Sequence, residues 1–199
     1  MKPELDQKLC AKYPKMFVNR DKSKMESCMH WGFSHGDGWY NIIDSMCEAM
    51  TYGYTTSVEV SAELGVKWGI EPTVWNNEPP RYFLDVEPPQ VVVDQVKEKY
   101  GTLRFYHHLE FEPRFCGLAY GENKTPAAHE IAEGYSQFID GIIHYAEVLS
   151  GRTCEETGKE GEMHVGNGWY RTLNREYAKG QTDRNWIAVA DVLKKEETP

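Results

Sequence analysis

The sequence predicts an α+β fold, a small antiparallel hairpin packed on one long helix, and two stretches of chain predict it most directly. Residues 126–150 place Ile131, Tyr135, Phe138, Ile142, Tyr145 and Leu149 at steps of four and three, the period of an amphipathic helix. Residues 90–107 hold two β-rich runs, Gln90–Tyr100 and Thr102–His107, that meet across Gly101, which reads as a hairpin with charged residues on one face. At 199 residues, 40% hydrophobic and 27% charged, the chain can bury a core without disulfides.

The remaining elements follow in order. Pro3 near a helix start, acids Glu4 and Asp6 in its first turn and Lys12 in its last predict a short helix over 3–13, with Leu5, Leu9 and Tyr13 as its apolar stripe. Residues 19–27 are polar and read as loop. Gly32, Gly36 and Gly38 make residues 28–39 a turn-rich lead-in, with Asp37 as the expected N-cap of a helix running to Met50. Its apolar face is Ile42, Ile43, Met46 and Cys47. Residues 57–64 alternate like a strand, and Val66–Ile70 could extend it. Five prolines between Pro72 and Pro89 then break the chain, so 71–89 is expected to be an extended surface excursion. Residues 109–125 read as loop. Pro126 opens the long helix and Gly151 closes it. Gly134 and Gly141, seven apart, are expected to admit another element closely. From Asp183 a short final helix is expected. The domain organisation follows: a main domain over 1–150, with an acidic Pro-rich excursion at about 51–89, and a separate segment over 151–199.

Charge and cysteine usage narrow the function. The net charge is −9, and residues 26–95 carry eleven acids against only Lys67 and Arg81. Binding nucleic acid requires Lys and Arg in place of phosphate counterions, so direct nucleic-acid binding is disfavoured. An acidic surface favours basic partners instead. The five scattered cysteines make no disulfide framework. The first residues show no apolar run behind their positive charges, and no apolar stretch approaches a membrane span. A cytoplasmic protein is expected.

The stretch Arg152–Ala178 carries the most distinctive motifs. Together with Gly36-Asp-Gly-Trp39 and Gln95-Val-Lys-Glu-Lys-Tyr-Gly-Thr-Leu-Arg-Phe-Tyr106, it resembles a family of uncharacterised phage and prophage proteins. Those proteins pair a GDGW segment and a QVKEKFGTLRFY hairpin with an R-T-C-x-x-C-G…GW-x-x-T-x-C-x-x-H ending. The resemblance covers about half the chain in three blocks and implies phage ancestry, with no established activity to carry over. A C-x-x-C…C-x-x-H set would bind zinc through thiolates and one imidazole. Here Cys154, Thr157, Asn174 and Tyr177 stand at those positions, so the resemblance implies a degenerate zinc-ribbon-like module with no bound metal. Its fold is expected to rest on burial of Trp169, with His164 nearby as the one spare ligand.

Other clusters are weaker signals. Cys28, His30, His35 and Asp37 fall within ten residues, and could hold a metal or simply hydrogen-bond a glycine-rich helix entry. Arg104, Tyr106, His107 and His108 on one strand could stack a nucleotide. Strict alternation, with Leu103 and Phe105 inward and Arg104 and Tyr106 outward, describes any half-buried strand equally well. Glu110 and Glu112 would act as acid and base only in a shared cleft. No phosphate loop, G-x-S-x-G elbow or H-E-x-x-H helix is present. Catalytic residues and cofactors are therefore not expected.

The favoured expectation is a phage-encoded accessory protein in the host cytoplasm. It would bind a host protein with a basic nucleic-acid-binding surface, a defence or nucleic-acid-handling factor, through acids such as Glu78, Asp85, Glu87 and Asp94. The alternatives are a nucleotide-sequestering protein using Arg104, Tyr106, His107 and His108, and a metal-dependent hydrolase using His30 or His35.

Overall fold

The computed structural model describes residues 1–53, 55–76 and 78–196. Its elements are α1 (Pro3–Lys12), α2 (Tyr40–Thr51), β1 (Thr56–Val60), α3 (Ala62–Lys67), β2 (Tyr82–Val86), β3 (Gln90–Lys99) and β4 (Thr102–Glu110). After these come α4 (Pro113–Ala119), α5 (Pro126–Ser150), β5 (Glu162–Gly166), β6 (Trp169–Leu173), α6 (Arg175–Gly180), β7 (Ile187–Ala188) and α7 (Val189–Glu196). The fold is α+β, with small sheets ordered β1-β2, β3-β4 and β6-β5-β7. No described helix is long and apolar enough to cross a membrane.

The chain forms two compact units. The larger comprises Met1–Thr51, Val91–His108 and Asp140–Pro199; the smaller comprises Tyr52–Gln90 and Leu109–Ile139. Residues 151–196 thus share a unit with the N-terminal helices, and α5 contributes residues to both units.

In the larger unit, Leu9 and Tyr13 of the α1 stripe and Ile43, Met46 and Cys47 of the α2 stripe are buried, while Leu5 and Ile42 are half-buried; Trp39, just before α2, is buried too. Tyr100 and Gly101, both at positive φ, close the β3-β4 hairpin in the two-residue turn whose twist suits antiparallel strands. Leu103 and Phe105 point inward while Tyr106 is exposed. The backbone N–H of Leu103 donates to Ser150 Oγ (2.8 Å), tying the hairpin to the end of α5. Asn167 and Gly168 make the same kind of turn between β5 and β6, which pair from Glu162↔Leu173 to Gly166↔Trp169.

In the smaller unit, β1 and β2 pair antiparallel from Thr56↔Val86 to Val60↔Tyr82. Val58, Val60, Leu84 and Val86 form one face of that ribbon. They pack in one core with Phe115, Leu118 and Ala119 of α4 and with Ala128, Ala132 and Tyr135 of α5.

Several expectations change. The strand expected over 57–64 ends at Val60, and Ala62–Lys67 is helix α3 instead, because the Ser61 hydroxyl accepts from the Leu64 N–H and starts a helix there. Residues 82–86, inside the expected surface excursion, form a strand with Leu84 and Val86 inward. Residues 113–119, read as loop, are α4: Pro113 sits in the first turn and the Glu112 carboxylate caps Phe115 N–H at 3.0 Å. Asp37 does not cap α2. Its carboxylate accepts from the Lys2 backbone N–H and pairs with the Lys2 ammonium. The buried face of α5 is rotated from the predicted stripe and runs through Ala128, Ala132, Tyr135, Ile139, Ile143, Ala146 and Ser150. Phe138 and Tyr145, 50% and 65% accessible, lie off it. Among the described residues, no other element fills the space beside Gly134 or Gly141.

Candidate functional site

The three motif blocks converge within the larger unit. Gly36 N–H donates to Glu155 Oε1 (3.0 Å), Gly38 N–H to the Glu155 carbonyl (2.7 Å), and Trp39 Nε1 to the Thr153 carbonyl (2.8 Å). Thr172 Oγ1 donates to the Gly101 carbonyl. A Cβ at Gly36 would collide with the Glu155 carbonyl, and one at Gly38 with the Cys154 carbonyl. Glycine at these two positions is a packing requirement. Arg171 donates from Nε to Glu155 Oε2 (2.8 Å) and also pairs with Glu156. Burial alone would lower the Arg171 pKa, but its bonds to Glu155 and Glu156 outweigh that and raise it. Glu155, 3% accessible, is therefore a buried charge with a partner.

The Cys28–Asp37 cluster is dispersed around this seam. Cys28 is exposed, and His30 Nδ1 lies 2.9 Å from the Lys22 carbonyl. His35 is buried, with Nδ1 donating to the Gly36 carbonyl (2.8 Å) and Nε2 without a hydrogen-bond partner among the described residues. Burial pushes its pKa down to about 4. No group of three His, Cys, Asp or Glu among the described residues is arranged to hold a metal ion.

At the ribbon-like positions, Cys154 is buried with Leu173 and Ala178, and Tyr177 and Trp186 pack against them. Asn174 Oδ1 accepts from Glu176 N–H (3.0 Å) and Tyr177 N–H (3.4 Å), capping α6, while Nδ2 donates to the Glu160 carbonyl. His164 is buried with Nδ1 2.9 Å from the Glu162 carbonyl. Trp169 corrects the expectation of a buried anchor: it is 60% accessible, with the Arg184 guanidinium over its ring. The segment's interior is built from Cys154, Leu173, Tyr177 and Trp186 instead.

The four hairpin residues each have neighbours of their own. Arg104 donates to Thr102 Oγ1 and the Leu103 carbonyl and lies 3.7 Å from Glu147. The Tyr106 ring lies under the Lys97 ammonium. His108 meets Asp94 at 3.0 Å, and His107 faces Asp140 at 4.0 Å. Burial lowers the His107 pKa, opposed by the Asp140 charge.

The acidic residues separate by unit. Asp94 belongs to the larger one, while Glu78, Asp85 and Glu87 belong to the smaller. The smaller unit holds eleven carboxylates against Lys67, Arg81, Arg114 and Lys124, a formal −7 of the chain's −9. All eleven are exposed. Arg81 is paired with Glu59 and lies near the rings of Trp75 and Phe83, and Arg114 is paired with Glu112. Asp85 stands opposite Ser57 on the outer face of the ribbon, and Glu87 accepts from Thr55 Oγ1 at 3.1 Å.

This unit also bears a groove of about 430 Å³ between the start of β1, at Gly53 and Thr56, and the α5 face carrying Ile131, Gly134, Tyr135 and Phe138. Glu130 stands in its wall. The sequence assigned Ile131, Tyr135 and Phe138 to the core through their periodicity; Tyr135 is buried and Ile131 packs against the core, whereas Phe138 is open. Glu110 ends β4, and Glu112 is committed to capping α4. No family model matches the chain, and no curated protein or solved structure matches it.

Proposed function

We propose that the protein is a phage-encoded accessory binding protein. In this reading it acts in the host cytoplasm and engages a basic host protein, a defence or nucleic-acid-handling factor, through its smaller unit. The observation that carries this reading is the concentration of charge: eleven exposed carboxylates in Tyr52–Gln90 and Leu109–Ile139, with two of the four bases already paired. Such a surface speeds encounter with a basic patch and competes with phosphate for it. The phage lineage rests on the resemblance of the three sequence blocks.

Capture from host lysate tests the reading when wild type is compared with Glu78→Lys/Asp85→Lys/Glu87→Lys. The same partner should be retained by wild type, released by salt and lost by the triple variant. Retention indifferent to both charge reversal and salt would contradict it.

The C-terminal segment reads as a zinc ribbon whose metal has been replaced by packing. Asn174 caps a helix and Tyr177 covers Cys154, where ligands would stand. A ribbon held by zinc unfolds under chelator. Here chelator should leave the melting temperature unchanged, and zinc released stoichiometrically on unfolding would overturn this reading.

A further inference from the structure

We infer that the α5 groove of the smaller unit receives an apolar anchor of the basic partner, so that the docking element is an amphipathic segment with apolar side chains flanked by Lys or Arg. This rests on the reading of the acidic unit as the partner-binding surface and adds where the partner's apolar side chains go.

The groove lining is mostly apolar, with Glu130 in its wall, and further carboxylates lie nearby. Ile131, Gly134, Tyr135 and Phe138 recur at i, i+3, i+4 and i+7, so they line one strip of α5, and Phe138 is 50% accessible. Glu130 and Glu133, both exposed, lie along one edge of that strip on the helix, and Glu87 accepts from Thr55, the neighbour of the groove residue Thr56. The volume, about 430 Å³, lies within the roughly 300–1,000 Å³ of sites that bury most of a bound group. An apolar strip edged by carboxylates is complementary to a helix or strand carrying apolar anchors beside cations.

Gly134 supplies the second argument. Its φ is not positive, and a Cβ there would meet no atom of the described residues within 4 Å, so neither backbone conformation nor their packing requires glycine. Glycine within a helix is unfavourable, yet its lack of a side chain keeps the groove floor open.

The test uses the full chain and fluorescence anisotropy with two labelled 14-residue probes of equal charge, one of Leu and Lys in amphipathic helical order and one with every Leu replaced by Ser. Wild type should bind the Leu/Lys peptide at least tenfold more tightly. Gly134→Leu, which fills the groove, and Phe138→Ser, which removes a wall, should each abolish that preference while keeping the weak salt-sensitive binding of the Ser/Lys peptide. Gly141→Leu, equally open but outside the groove, should retain the preference, and thermal melts should show all variants folded. Equal binding of both peptides by wild type, or a preference that survives Gly134→Leu, overturns the groove while leaving the acidic-surface reading intact. Failure of both peptides to bind at low salt overturns both readings. A wild-type dimer by sedimentation that Gly134→Leu dissociates would assign the groove to a second copy and overturn the inference.

Discussion

The larger unit carries eighteen bases and twenty acids, a formal −2, and spends its distinctive polar groups internally; the smaller carries four bases and eleven acids and leaves every carboxylate in solvent. In the larger unit Glu155 is sealed behind Arg171 and bound by Gly36 N–H, and the GDGW segment is fixed against Thr153–Glu155 by three hydrogen bonds. In the smaller unit the two-stranded ribbon buries only Val58, Val60, Leu84 and Val86, and turns its acidic residues outward. The most recognisable motifs therefore hold the larger unit together, while the proposed partner surface lies in a stretch with no motif.

Trp39 gives the largest expected departure. It is fully buried and donates to the Thr153 carbonyl, so Trp39→Ala should destabilise the protein by about 4 kcal/mol in urea unfolding. A loss under about 1 kcal/mol would mean that the GDGW seam is not structural.

Acid should act through the same seam. His35 titrates near 4 in the fold and near 6.5 when unfolded, so between these values the unfolded chain binds the extra proton. Stability from this group is complete above about pH 6.5, falls as pH drops towards 4, and changes no further below. The loss should be roughly 3 kcal/mol, given a depression of about 2.5 pH units in a buried ring. His35→Asn should flatten the stability profile over that window; an unchanged profile would place the acid sensitivity elsewhere.

Trp169 supplies the small counterpart. It is largely accessible and on a strand face, so Trp169→Ala should change stability by no more than about 0.5 kcal/mol. A cost near that of Trp39 would restore it as a core anchor.

The difference between these two tryptophans also marks what the sequence could reveal. Periodicity located α5 and the β3-β4 hairpin, because both are long enough for a pattern to stand out. It misplaced the buried face of α5, since large apolar residues were counted and Ala128, Ala132 and Ala146, which mark close packing, were not. The strand Tyr82–Val86 was obscured by Pro79, Pro80, Pro88 and Pro89, which bracket a five-residue run rather than interrupt it. The cap at Glu112 with Pro113 after it was a legible helix start, obscured because the helix runs only seven residues and contains Gly117. Of the acidic candidates, Glu78, Asp85 and Glu87 share a unit and Asp94 does not, a division made by long-range packing that spacing along the chain does not encode.

The most direct test of the account compares charge reversal in the two units against one probe. Affinity for the Leu/Lys peptide would be measured across a salt series for wild type, Asp85→Lys/Glu87→Lys and Glu4→Lys/Asp21→Lys, the last pair being exposed acids of the larger unit. The account predicts at least a tenfold loss and a shallower salt dependence for the first pair, and little change for the second. Equal losses from both pairs, or none from Asp85→Lys/Glu87→Lys, would contradict it.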